Sequence, residues 1–221
     1  MEGNSMKARL TNPYAVVVLT VFIALAVTLA LLLVIGSQGV SIRTVAGSLL
    51  ILSFDWFTVG GILFTGRAIW KWPVGQTDVY LRWERVFVMV AVLFTILGLD
   101  LLAEMLRAAG DSVFARLGLL GYVVGAIVIL VEETAFLNKR EWNYSQVILY
   151  VVLAFLGQAA IGVALVQTGL VAGWVGWMTI VWNLAWLVIL SVASRDNIYF
   201  PALHHVAPLV IGIVLLIQVV P

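Results

Sequence analysis

Cysteine is absent from this 221-residue chain, and histidine nearly so, with His204 and His205 the only two. The first absence excludes disulfides, thiolate nucleophiles and metal centres held by sulfur. The second argues against a transmembrane haem held by histidines from two helices, because consecutive residues of one helix point about 100° apart. Charge is also scarce, at 10% of residues, and its net value of +1 leaves no basic surface for nucleic acid. Only three lysines occur, Lys7, Lys71 and Lys139, all in the polar head or in loops between apolar runs, so no retinal Schiff base is expected. No His-Glu-x-x-His zinc motif, glycine-rich phosphate loop or serine nucleophile elbow occurs. The cofactor, if any, is left open.

What fills the sequence is apolar: 63% of residues are hydrophobic, and no long polar region is left to build a soluble domain. Roughly 20 apolar residues cross about 30 Å of hydrocarbon as a helix. Seven stretches meet or approach that length, at about 14–36, 45–69, 85–107, 113–136, 146–168, 174–193 and 198–220. A lipid-exposed chain must satisfy its own backbone polar groups, and runs such as Val147–Leu153 lack the alternation of a barrel strand. The expectation is therefore an all-α, polytopic helix bundle with seven transmembrane helices. It forms one domain over 14–221, preceded by a short polar head at 1–13. Residues 70–84, with Pro73 and Gly75, are expected to form the one substantial loop, lying along the headgroups. The first apolar run exceeds a signal-peptide core and is read as retained.

With the N-terminus inside, nine of the twelve Lys and Arg residues fall on the cytoplasmic side: Lys7, Arg9, Arg67, Lys71, Arg82, Arg85, Lys139, Arg140 and Arg195. Arg43, Arg107 and Arg116 fall outside, which predicts N-in and C-out. Trp70, Trp72, Trp83, Trp142, Tyr144 and Tyr199 near the inner boundary, and Trp174 near the outer one, fit an aromatic belt. A bacterial or archaeal cytoplasmic membrane is the expected location.

A charge within hydrocarbon costs roughly 2.5–3.5 kcal/mol on insertion scales, so intramembrane polar residues are the functional candidates. Three groups emerge. Near the outer end, Asp100, Glu104 and Arg107 share one face of the third helix, where Glu104 and Arg107 can pair locally or the carboxylates can hold a cation. At mid-depth, Asp55, Gln158 and Asn183 are candidate ligand-binding groups, with Asp55 expected to hydrogen-bond to Asn183 or Gln158. Near the inner side, Glu132 and Glu133 are expected at the depth of His204 and His205. Pro208 removes the hydrogen bond that the His204 carbonyl would otherwise accept, opening the helix there. These four residues, with Asp55, are the candidate catalytic groups, and any metal would be held by Glu132, Glu133, His204 and His205. The stripe Gly118, Gly121, Gly125 is expected to pack closely against a neighbouring helix.

Glu132-Glu133 followed by Phe200-Pro-Ala-Leu-His204 resembles the paired-Glu and Phe-x-x-x-His motifs of the intramembrane CAAX-protease-like family. The resemblance covers those residues alone. Phe136 and Leu137 stand where that family's Arg would fall, and no further His motif follows, so no catalytic roles are carried over. Three functions fit the inventory: an intramembrane enzyme acting on a lipid or isoprenoid-like substrate by carboxylate/histidine acid–base chemistry, a small proton- or cation-coupled transporter, and an accessory subunit of a membrane complex. The expected partners are the bilayer and an apolar small molecule or lipid. Oligomeric state is left open.

Overall fold

The computed structural model describes residues 13–68, 74–111, 113–139, 143–192 and 203–218. Among them are seven helices: α1 Pro13–Gln38, α2 Ile42–Ala68, α3 Val74–Ala108, α4 Phe114–Lys139, α5 Tyr144–Thr168, α6 Gly173–Val192 and α7 Val206–Ile217. No strand occurs among the described residues. The first six are long and apolar enough to cross a membrane. Of the seventh expected span, 198–220, residues 203–218 are described, and they hold α7, an apolar helix of 12 residues. Lys7, Arg9, Trp70, Lys71, Trp72, Pro73, Arg140, Trp142, Arg195, Tyr199, Phe200 and Pro201 lie outside the described residues.

Residues 74–84 correct the expectation of a headgroup loop, because they form the first turns of α3. Gly75 falls in the first turn, where its helix penalty is weak, and backbone groups at a membrane edge are best satisfied inside a helix. Trp83 is exposed there, while Glu84 and Arg85 turn inward and are buried.

Short turns close one face of the bundle. Between α1 and α2, Ser41 and Thr44 exchange hydrogen bonds: the Ser41 N–H donates to Thr44 Oγ1 and the Thr44 N–H to Ser41 Oγ, both at 3.1 Å, so the free N–H groups of α2 are capped. Gly110 (φ +107°) ends α3, with the Asp111 N–H donating to the Leu106 carbonyl at 3.0 Å. Asp111 then caps α4, accepting from the N–H groups of Phe114 and Ala115 at 3.3 and 2.9 Å. The C-terminus of α7 reaches this same face, where Arg43 Nε donates to the Leu215 carbonyl at 2.9 Å. It is called the short-turn face below.

Packing divides the bundle into two groups. Within lipid, helices associate through close backbone approach rather than hydrophobic burial, so small residues mark the contacts. Gly118 of α4 faces Gly157 of α5, so that a Cβ on Gly118 would stand 2.5 Å from the Gly157 carbonyl oxygen. Gly121 and Gly125 continue that interface, as expected of the stripe. Gly162 of α5 meets Gly176 of α6 in the same way, making α4, α5 and α6 one group. Gly47 of α2 meets Gly212 of α7, and Gly98 of α3 packs on Leu50 of α2, making α2, α3 and α7 the other. The groups join where α3 meets α4 and where α6 meets α7. Helix α1 stands to one side against α2, held by apolar contacts and by Trp56 Nε1 donating to Thr28 Oγ1 at 3.3 Å. Its outer face, with Val18, Leu19, Phe22 and Leu29, is exposed apolar surface suited to lipid.

Candidate functional site

The two histidines lie at the seam between these groups. Adjacent positions on a helical turn diverge, so each ring enters a different group. His205 faces α2 and α3: its ring stacks on Phe57 with centroids 4.7 Å apart, and its Nδ1 lies 3.3 Å from Thr95 Oγ1. His204 faces α4 and α5: its Nε2 is 2.6 Å from the Tyr150 hydroxyl, its ring meets Tyr150 edge-on, and Tyr122 stands 6.0 Å away. The two imidazoles are 4.0 Å apart, and both side chains are buried. Leu203, just before them, accepts a hydrogen bond from Trp182 Nε1 at 2.7 Å, tying the start of this segment to α6.

Thr95 Oγ1 lies 2.9 Å from the Ala91 carbonyl and 3.3 Å from His205 Nδ1, so its single proton serves one of the two, and the direction of the second contact follows the imidazole tautomer. His205 Nε2 is buried with no hydrogen-bond partner. Other polar atoms at the core of the bundle are also left over. Asn183 donates to the Thr179 carbonyl at 2.7 Å while its Oδ1 has no partner, and neither amide atom of Gln158 has one. The Tyr122 hydroxyl, facing Thr95 and Tyr150, makes no aligned hydrogen bond. Buried polar groups are nearly always satisfied, so a group of such atoms calls for an occupant.

The expected depth match between the glutamates and histidines is not found. Thr95 lies near the midpoint of the Leu81–Ala108 span, and Arg85, which binds Glu133, lies ten residues earlier, ~15 Å along the helix. Arg85 Nη1 donates to both carboxylate oxygens of Glu133, at 3.2 and 3.4 Å, and Nη2 donates to Glu84 Oε1 at 2.6 Å. The guanidinium also sits over the Phe136 ring at 5.3 Å. Glu132 accepts from the Asn143 N–H, stabilising the start of α5 where free N–H groups concentrate positive charge. The sequence reading began the last span at 198 and so set its histidines near the inner boundary; their contacts put them at the centre of α3. Among the described residues, no group of three or more His, Asp or Glu is arranged to hold a metal ion, so Glu132, Glu133, His204 and His205 do not form such a set.

The remaining candidates separate as well. Asp55, Asn183 and Gln158 each keep buried side-chain atoms without partners, so the expected bond between Asp55 and either amide is not made. The reason is position: α2 packs chiefly on α1, α3 and α7, whereas Gln158 and Asn183 belong to the other group. Asp55 continues the Gly47, Ile51 stripe that packs on α7, at the level where α7 begins. Asp100 and Glu104 are exposed and, with Arg107, Asp111 and Arg116, line a cleft of about 520 Å³ on the short-turn face. The expected Glu104–Arg107 ion pair is not formed; the ion pairs among the described residues are those of Arg85. Leu119 also lines the cleft, and Tyr122 follows it by one helical turn, between the cleft and His204.

Sequence reasoning missed Thr95, Tyr150, Tyr122, Phe57, Glu84 and the inward turn of Arg85. Tyr122 and Tyr150, each a lone phenol inside an apolar run, carried a readable signal, since a buried hydroxyl seeks a partner. Comparison with protein-family models, with curated proteins and with solved structures finds no match to this chain.

Proposed function

We propose that this multi-pass membrane protein is a small proton-coupled transporter, with His204 and His205 as its mid-membrane proton-handling site. The observation that carries the reading is the buried Nε2 of His205, without a hydrogen-bond partner at the seam of two helix groups, where a turn at His205 interrupts the helical residues 203–217. Discontinuous helices, polar groups at the bilayer centre and two packed bodies are the common elements of alternating access. The cleft supplies a polar vestibule on the short-turn face, ending one helical turn above Tyr122. On the opposite face the Glu84–Arg85–Glu133 network closes the bundle, ~15 Å from the histidines. In the positive-inside orientation the vestibule opens to the exterior and the network guards the cytoplasm of a bacterial or archaeal cell.

A second reading, an intramembrane enzyme acting on a lipid, is favoured by the 2.6 Å contact between Tyr150 and His204, which joins an acid and a base at one point. Proteoliposomes loaded with a pH-reporting dye separate the two. An imposed gradient of a small zwitterion (glycine, β-alanine or phosphoethanolamine) is expected to move protons in the native protein and not in His205→Asn, which can still hydrogen-bond to Thr95 but lacks the base. Proton movement equal in both proteins, or none with any of the three solutes, overturns the transport reading.

A further inference from the structure

The cleft on the short-turn face has a charge order that names its ligand. Its acidic and basic walls sit at different depths along the helices. Asp100 lies ~12 Å and Glu104 ~6 Å below Ala108, the end of α3, whereas Arg107 is next to that end. Arg116 is two residues into α4, so it too stands at the rim. Asp111 is committed to capping α4, and Ala103, Ala115 and Leu119 supply the uncharged wall. Asp100, Glu104, Arg107 and Arg116 are all exposed to the space they line.

The charges do not neutralise one another. Glu104 and Arg107 are three residues apart on one helix, a spacing that favours pairing, yet they form no ion pair, and neither do Asp100 and Arg116. Asp100 lies two turns inside the span yet is exposed to the cleft, so a cation entering from outside can reach it. The fitting occupant has a cationic end that goes deep and an anionic end held at the rim.

We propose that this cleft binds a zwitterion, a primary ammonium joined by a short linker to a phosphate or carboxylate. The ammonium is received by Asp100 and Glu104 and the anion by Arg107 and Arg116. Charge-assisted hydrogen bonds serve both ends, and arginine suits the planar or tetrahedral oxyanion. A lipid headgroup and a free solute share this chemistry. The inference concerns binding alone and stands whether or not the ligand is transported.

The test is equilibrium binding of labelled phosphoethanolamine to the full-length protein in nanodiscs of phosphatidylglycerol, with ethanolamine and inorganic phosphate as the separated halves. Phosphoethanolamine is expected to bind at least ~10-fold more tightly than either half. Asp100→Asn should bring it down to the affinity of phosphate, and Arg107→Gln with Arg116→Gln to that of ethanolamine. Adding phosphatidylethanolamine to the disc distinguishes the sources: competition identifies the lipid headgroup, its absence a free solute, and both support the site. Gly173→Ala, which lies in neither the cleft nor the histidine site and where a Cβ meets nothing within 4 Å, should bind as the native protein does. Since the substituted positions are exposed, unchanged thermal unfolding verifies that each variant folds. Absent binding by the folded native protein, or halves that bind as well as the whole, overturns the proposal.

Discussion

Two polar clusters, ~15 Å apart along α3, treat burial in opposite ways. At Arg85 buried charges of opposite sign are in direct contact: one guanidinium serves both Glu133 and Glu84 and rests over Phe136. Around Thr95 the groups are neutral, and His205 Nε2 is buried without a hydrogen-bond partner; on α5 and α6, buried atoms of Gln158 and Asn183 have none either. Buried ion pairs between helices hold them in one arrangement, and removing the shared cation should damage folding. Neutral groups whose polar atoms are not all used contribute less to holding the helices together, and their variants are expected to fold but fail to function.

The largest effect is therefore expected at Arg85. Arg85→Met leaves Glu84 and Glu133 buried without their cation, and breaking such a pair typically costs about 3–5 kcal/mol. Thermal unfolding in detergent should fall sharply. Neutralising the carboxylates in the same chain, Glu84→Gln with Glu133→Gln, should recover most of the loss. If Arg85→Met melts with the native protein, the network is not a structural lock and the contrast collapses.

Next in size is the helix contact that positions Tyr122 beside His204. Gly157→Ala places a Cβ 2.6 Å from the Gly118 carbonyl oxygen, so α4 and α5 must separate. Overpacking of this kind costs about 1–3 kcal/mol. Gly173→Ala, where a Cβ meets nothing within 4 Å, should leave the melting temperature nearly unchanged. Equal effects from the two would show that this contact does not determine the packing of the second group.

The spans were readable because an apolar run long enough to cross a bilayer has few other fates, and the runs behind α1 to α6 each produced a helix. The depth of the histidines was not readable. Hydrophobicity marks that a segment is buried but not how deep each of its residues sits, so a span placed at 198–220 set the histidines near one boundary, whereas His205 meets Thr95 at the middle of α3. Arg85 was assigned to the loop side because a charge at the edge of a run resembles a boundary; its inward turn depends on Glu133, 48 residues away. Thr95 was silent because a threonine in a helix normally bonds back to its own turn. It does so here as well, through Ala91, and its place beside His205 emerges only from three-dimensional contact.

His205→Asn sharpens the comparison with a smaller change in stability. The asparagine amide can still hydrogen-bond to Thr95 Oγ1, so the expected loss is on the order of 1 kcal/mol, while the unpartnered Nε2 disappears. Solute-driven proton movement in proteoliposomes should vanish. A variant that loses as much stability as Arg85→Met would place the histidine among the structural groups.

Asp55 is the residue on which the contrast can fail most informatively. It is charged by type, like the Arg85 network, but its Oδ2 is buried without a partner, like the histidine site. Its place on the Gly47, Ile51 stripe sets it level with the beginning of α7. Asp55→Asn preserves shape and most hydrogen-bonding capacity, so unfolding should change by no more than about 1 kcal/mol in either direction. Proton movement should nevertheless fall, because an amide neither carries the charge nor takes up a proton at this depth. Retained movement together with a modest gain in stability would assign Asp55 to the scaffold and confine the working groups to the seam between Thr95 and Tyr150.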